Sequence, residues 1–186
     1  MSSAAHPAAD PGAPIFLVGF MASGKTTVGK LVAARLGWTF EDLDDLVTAG
    51  AGATVPEIFA REGEAGFRRR EGAAVRAAAG LRRAVIATGG GAACRDENLE
   101  AMRAAGRVVA LRVSAEEAVR RAGKASGRPL LDGQADPVGA ARELLATRDR
   151  FYARAHVRIE TEGQSPDEIA DAVLTALGFR APGGGG

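Results

Sequence analysis

Apolar and polar positions change rhythm repeatedly along this chain. Residues 14–19, "PIFLVG", are a continuous apolar run, the pattern of a strand buried on both faces. The stretch "GKTTVGKLVAARLG" places Val28, Leu31, Val32 and Leu36 at helical spacing and stops at Gly37. "WTFEDLD" reads as a short strand with a polar end. Residues 54–61 predict a short helix, and 64–80 a longer one rich in Ala and Arg. "RAVIATGGG" is a second buried strand, ending in three glycines. "RDENLEAMRAAG" is a helix ended by Gly106, and "RVVALRV" a third clear strand. Ser114 is placed to cap "AEEAVRRA", with Glu117 three residues on completing a capping box. Residues 123–135 carry turn formers without a period and predict a long mobile loop. A helix over 137–154, a strand at "HVRIET" and a helix in "SPDEIADAVLTALG" follow, the last with Ser165 as N-cap and Pro166 at its first position.

Strands alternate with helices throughout, so the expected fold is α/β: a parallel sheet of about five strands with helices on both faces. One domain over 14–179 is expected, with disordered ends at 1–13 and 180–186. A chain of 186 residues holds one domain with a real core.

Charge and cysteine use narrow the function classes. Lys plus Arg is 24 against 23 for Asp plus Glu, so no large net field recruits DNA or an acidic membrane. Trp38, Phe59 and Phe67 are too few and too spread to stack bases, so no nucleic-acid partner is expected. No run of ~18 apolar residues exists, which excludes a spanning helix of that kind. A single cysteine, Cys94, rules out an intramolecular disulfide framework and fits a reducing, cytoplasmic setting. The start "MSSAAHPAADPGAP" does not read as a secretory signal. His6 and His156 form no cluster with the cysteine, so a zinc site is unsupported. A monomer is expected.

Between the first strand and first helix lies "GFMASGKT". Gly19, four residues, then Gly24-Lys25-Thr26 match the phosphate-loop pattern of P-loop NTPases. Successive N–H groups there turn inward onto phosphate oxygens, and the helix that follows adds its positive end. Lys25 reaches the β/γ oxygens, and the Thr26 hydroxyl is placed for Mg²⁺. By average residue usage, a chance match in a chain this long is on the order of one per cent. Only Lys25, Lys30 and Lys124 are lysines, so one inside a glycine loop stands out.

Three other features gather around it. Asp42 and Asp44 in "FEDLDD" would share one face if the strand continues, one to hold metal-bound water and one to orient or deprotonate a hydroxyl. Acidic residues at such a place also serve as helix N-caps. Gly89, Gly90 and Gly91 make a flat backbone surface for a ligand, or a flexible loop. Arginines at 68–70, 128, 148 and 150 suit bidentate capture of carboxylate or phosphate, although a single arginine is more often on a solvated face. Arg128 has the best local context, in the glycine-containing loop and followed by Pro129.

Taken together, "IFLVGFMASGKTTVGKLVAARLG", "FEDLD", "IFAREGEAGFRRRE", "ATGGGA", "RPLL" and "RDRFY" resemble the shikimate kinases over residues 14–178. The resemblance implies a nucleoside-monophosphate-kinase-like fold with a mobile lid at about 123–135. It implies ATP-dependent, Mg²⁺-dependent phosphorylation of the 3-hydroxyl of shikimate in aromatic amino-acid biosynthesis. Ala22, Ser23, Gly24, Lys25, Thr26 and Thr27 would wrap the ATP phosphates, and Asp42 would support the metal through water. Asp44 would bind substrate hydroxyls and act as base. Arg68 and Arg148 would clamp the carboxylate, and Gly89–Gly91 would line the substrate. Arg128 would reach the phosphates from the lid, and Arg121 and Gln164 would sit on the ATP side. Met21, Phe59 and Phe67 would wall the substrate pocket. Ala22 stands where such loops commonly carry glycine, which is harmless if its φ is negative. A gluconate-type kinase and a catalytically silent binding module are the alternatives.

Overall fold

The computed structural model describes residues 10–123 and 135–179. Five strands form one sheet: β1 Ile15–Gly19, β2 Thr39–Asp42, β3 Ala84–Ala87, β4 Arg107–Arg112 and β5 Val157–Glu160. Their order is β2-β3-β1-β4-β5, and every pairing is parallel. Among the described residues seven α-helices surround it: α1 Lys25–Leu36, α2 Leu43–Ala51, α3 Val55–Ala79, α4 Asp96–Ala105, α5 Ala115–Ala122, α6 Pro137–Tyr152 and α7 Pro166–Ala176. No described helix is long and apolar enough to cross a membrane.

Alternation along the central strand makes two cores. Ile15 and Leu17 of β1 pack with Val28 and Val32 of α1 and Val173 and Leu174 of α7. Phe16 and Val18 face the opposite layer, with Leu43, Val75, Leu99 and Phe151 from α2, α3, α4 and α6. A strand buried on both faces has no polar alternation to show, which is why β1 reads as one apolar run. Its carboxyl end opens onto the loop before α1, and the ends of β2 and β3 lie on the same side.

Three expectations need correction. Disorder over 1–13 is too long: Asp10 pairs with Arg82 at 2.5 Å, the Gly12 carbonyl accepts from the Arg83 N–H, and Ala13 is buried. The strand at "FEDLD" ends at Asp42, where α2 begins, a helix the sequence reading did not contain. Its Leu43, Leu46 and Val47 follow helical spacing into the cores, and Asp42 caps it by accepting from the Asp44 N–H at 3.1 Å. The predicted pair of helices over 54–80 is present within α3, parted at Gly63, whose φ of 65° and ψ of −174° no regular helix contains. At Ser114 only half the capping box forms. The Ser114 hydroxyl accepts from the Glu117 N–H, but the Ser114 N–H is taken by Glu162 at 2.7 Å. The Glu117 carboxylate has turned to Arg120 and Arg121 instead.

Candidate active site

The loop between β1 and α1 has the backbone of an anion cradle. Gly19 and Gly24 take φ of 142° and 92°, and Gly24 caps α1 without any side-chain hydrogen bond to its first N–H groups. Those N–H groups at a helix N-terminus face a cavity of about 790 Å³. A side chain at Gly19 would meet the Leu111 carbonyl oxygen at 2.3 Å, so only glycine fits there. Lys25 folds back, its Nζ donating to the carbonyls of Gly19 at 2.9 Å and Phe20 at 2.7 Å. Ala22 has φ of 58°. The condition under which alanine would be harmless is therefore not met: it occupies the left-handed region that favours glycine.

Across the cavity the two aspartates take different jobs. Asp42 accepts from the Thr26 hydroxyl at 3.1 Å with one oxygen and caps α2 with the other. Asp44 is in the first turn of α2, so helix geometry, not strand alternation, brings it to the site. Burial pushes its carboxyl above the usual range, the Asp42 and Glu71 carboxylates add to this, and Lys25 opposes it. Thr26 and Asp42 supply two hard oxygens, and no three His, Cys, Asp or Glu side chains cluster as a metal cage among the described residues. That donor set fits Mg²⁺, which keeps waters and phosphate oxygens in its shell.

The glycine run after β3 joins this cavity to a second one of about 600 Å³. A methyl group added to Gly89 would stand 2.9 Å from Asp44 Oδ1. At Gly90 it would stand 3.3 Å from an Arg148 guanidinium nitrogen, and at Gly91 3.0 Å from one of Arg68. Three successive residues thus lie against three of the side chains singled out from sequence. Arg68 and Arg148 both line the second cavity. They differ in their partners. Arg68 pairs with Glu71 at 3.0 Å and with Glu64 at 3.5 Å, whereas Arg148 has no ion pair among the described residues.

A family model for shikimate kinase matches residues 21–178. The chain belongs to the shikimate kinase family. A shikimate kinase of Symbiobacterium thermophilum is 50% identical over 91% of this chain and 99% of its own length. One of Moorella thermoacetica is 47% identical over 88% and 93%. The structure of shikimate kinase from Acinetobacter baumannii in complex with shikimate superposes with a TM-score of 0.84 at 38% identity, covering 90% of this chain and 93% of the other.

Within this shikimate kinase framework most of the predicted residues converge. Ser23, Gly24, Lys25, Thr26 and Thr27 line the first cavity, with Asp42, Asp44, Gly89 and Gly90 opposite. Arg121 and Gln164 close its far wall. Arg128 and the segment 124–134 lie outside the described residues. Met21 lines the first cavity, while Phe59 and Phe67 stack on each other at 4.8 Å and line neither cavity. His156 is structural, its Nδ1 accepting from the Val108 N–H. Cys94 lines the second cavity with its thiol pushed up by burial, which disfavours the nucleophilic thiolate.

The sequence reading overlooked three participants. Glu71 is almost fully buried beneath Arg68, and its i,i+3 spacing in "FRRRE" was an available signal. Tyr152 donates to the Gly90 carbonyl at 2.6 Å from 62 positions away, which no local pattern announces. Arg95 lines the second cavity beside Arg68 and Arg148.

Proposed function

We infer that this chain transfers the terminal phosphoryl group of ATP to the 3-hydroxyl of shikimate. The observation that supports this best is the glycine run: one ribbon of backbone lies against Asp44, which faces the phosphate loop, and against two arginines on its other side. A small acid carrying hydroxyl groups spans that distance with its carboxylate at one end and an alcohol at the other.

The residues then divide the work. Arg148 and Arg68 grip the carboxylate through charge-assisted hydrogen bonds. With Tyr152 holding the Gly90 carbonyl, the glycine run offers its N–H side to the ring. Asp44 takes the proton of the attacking hydroxyl, and its raised basicity suits that task. The new O–P bond forms as the bridging bond to the β-phosphate breaks, and ADP leaves. Lys25 exchanges its loop carbonyls for the β/γ oxygens. Thr26 and, through water, Asp42 would hold Mg²⁺, which would supply positive charge against the phosphate oxygens. Positioning and electrostatics supply most of the acceleration.

The test is a coupled assay of ADP release with Mg-ATP. ADP appears with shikimate and not with gluconate. Turnover of gluconate in place of shikimate, or of neither, overturns the reading.

A further inference from the structure

The far wall of the nucleotide cavity is supplied by α5 and by the loop after β5. Arg121 joins them. Its Nε donates to Glu117 Oε1 at 2.6 Å, and its terminal nitrogens donate to the Thr161 carbonyl at 2.9 Å, the Thr161 hydroxyl at 3.2 Å and the Ala22 carbonyl at 3.4 Å. A guanidinium has five N–H donors, so this census leaves one. Arg121 therefore meets a ligand mainly with its flat face, at an angle already set. Glu117 sets it, and also holds Arg120 at 2.5 and 2.6 Å. The other end of the tie is the carbonyl of Ala22, the phosphate-loop residue held at φ of 58°.

We propose that Glu117 is a positioning residue for nucleotide capture: it fixes Arg121 as a tie between α5, the phosphate loop and the loop after β5. This rests on the reading of the cavity as an ATP site. Removing the Glu117 side chain frees Arg121 to swing and lets Ala22 relax, so the nucleotide must order both on binding. The wall itself survives, because Glu162 still links the loop after β5 to the Ser114 N–H. The cap of α5 survives too, since it uses only the Glu117 backbone.

The experiment is calorimetric titration of Mg-ADP onto wild type, Glu117→Ala, Arg121→Ala and the double variant, with steady-state kinetics alongside. Glu117→Ala weakens ADP about tenfold, the scale of one charged hydrogen bond. KM for ATP rises by the same factor, while kcat, KM for shikimate and the melting midpoint stay near wild type. Glu117→Gln, which keeps one acceptor oxygen, recovers part of the loss. In the Arg121→Ala background, Glu117→Ala adds less than about twofold, because the two residues act as one unit. Full additivity, or wild-type ADP binding by Glu117→Ala, overturns the tie alone. A wild-type protein that takes no ADP overturns the nucleotide reading beneath it as well.

Discussion

In the proposed function the phosphate side draws its binding groups from residues 19–27, whereas the acid side draws on Asp44, Arg68, Gly89–Gly91 and Arg148 from four separate elements. The first is made of backbone: N–H groups at a helix N-terminus and one lysine bonded to the loop's own carbonyls. The second is made of side-chain charge. Its guanidinium groups and carboxylates meet only because α2, α3, the loop after β3 and α6 are brought to one end of the sheet. A backbone site holds its own cation, because Lys25 donates to the loop carbonyls. A charge site must be balanced in advance, and here the balance is uneven: Arg68 has a buried carboxylate partner in Glu71, and Arg148 has no carboxylate partner among the described residues but lies over the Phe20 ring.

The largest expected effects separate the two sides. Lys25→Ala lowers kcat by about 10³-fold, ~4 kcal/mol, and also weakens ADP in calorimetry. Asp44→Asn lowers kcat by a similar order, about 10³-fold, but leaves ADP affinity within about twofold of wild type. Equal damage to ADP binding by both variants would show that the sides are not separable.

Next come the two arginines. Arg148→Ala raises KM for shikimate by about 10–100-fold, the loss of one or two charge-assisted hydrogen bonds, without changing the urea midpoint. Arg68→Ala raises KM too, but it also strands Glu71, which is 1% exposed. That costs stability by about 3 kcal/mol, the lower end for a broken buried pair because Arg68 is itself partly exposed. Adding Glu71→Gln returns much of the stability and none of the affinity. A stable Arg68→Ala protein would show that the buried pair does not matter to the fold.

How much of this was legible in the sequence follows the same division. The phosphate loop, its strand and its helix are local, so spacing alone announced them. Strands β1, β3 and β4 were legible because burial on both faces leaves them as apolar runs, whereas the half-exposed β2 and β5 offered only short segments between helical patterns. Helix α2 was not legible, because Asp44 falls in the polar end of the predicted strand and glycines at 50 and 52 weaken any helical pattern after it. Asp42 and Asp44 do line one cavity, but a helix turn brings them there, not strand alternation. Glu117 was assigned to the Ser114 cap, although arginines at i+3 and i+4 compete for the same carboxylate, and the pairing was visible in "EAVRR". The hold of Tyr152 on Gly90 exists only in the folded chain.

A smaller effect concerns pH. The folded state raises the pKa of Asp44 above its ordinary 3.8, so it favours the protonated form. That preference stabilises the fold below the unfolded value and is lost as pH rises through the folded value. At pH 7 the ionised Asp44 therefore costs stability, a cost the proposed base would carry. Asp44→Asn removes the cost. Its melting midpoint exceeds that of wild type at pH 7, each 1 kcal/mol reading as roughly 2–4 °C in a chain of this size. The difference shrinks as pH falls toward 4. A lower midpoint at pH 7 would place the aspartate in the fold's favour and argue against a desolvated base.

The smallest effect lies on the phosphate side, at Ala22. An alanine at φ of 58° is strained relative to glycine by about 1 kcal/mol. Glycine also adds freedom to the unfolded chain, which offsets up to about 1 kcal/mol of the gain. Ala22→Gly therefore moves the melting midpoint by no more than about a degree or two. Its effect on ADP affinity has the opposite sign to a simple relief of strain. The Arg121 bond to the Ala22 carbonyl holds a loop that alanine already restricts. Glycine widens what the empty loop samples, so ADP binds about twofold more weakly, with shikimate KM unchanged. Tighter ADP binding by Ala22→Gly would mean that the strain resists the bound shape instead of preparing it.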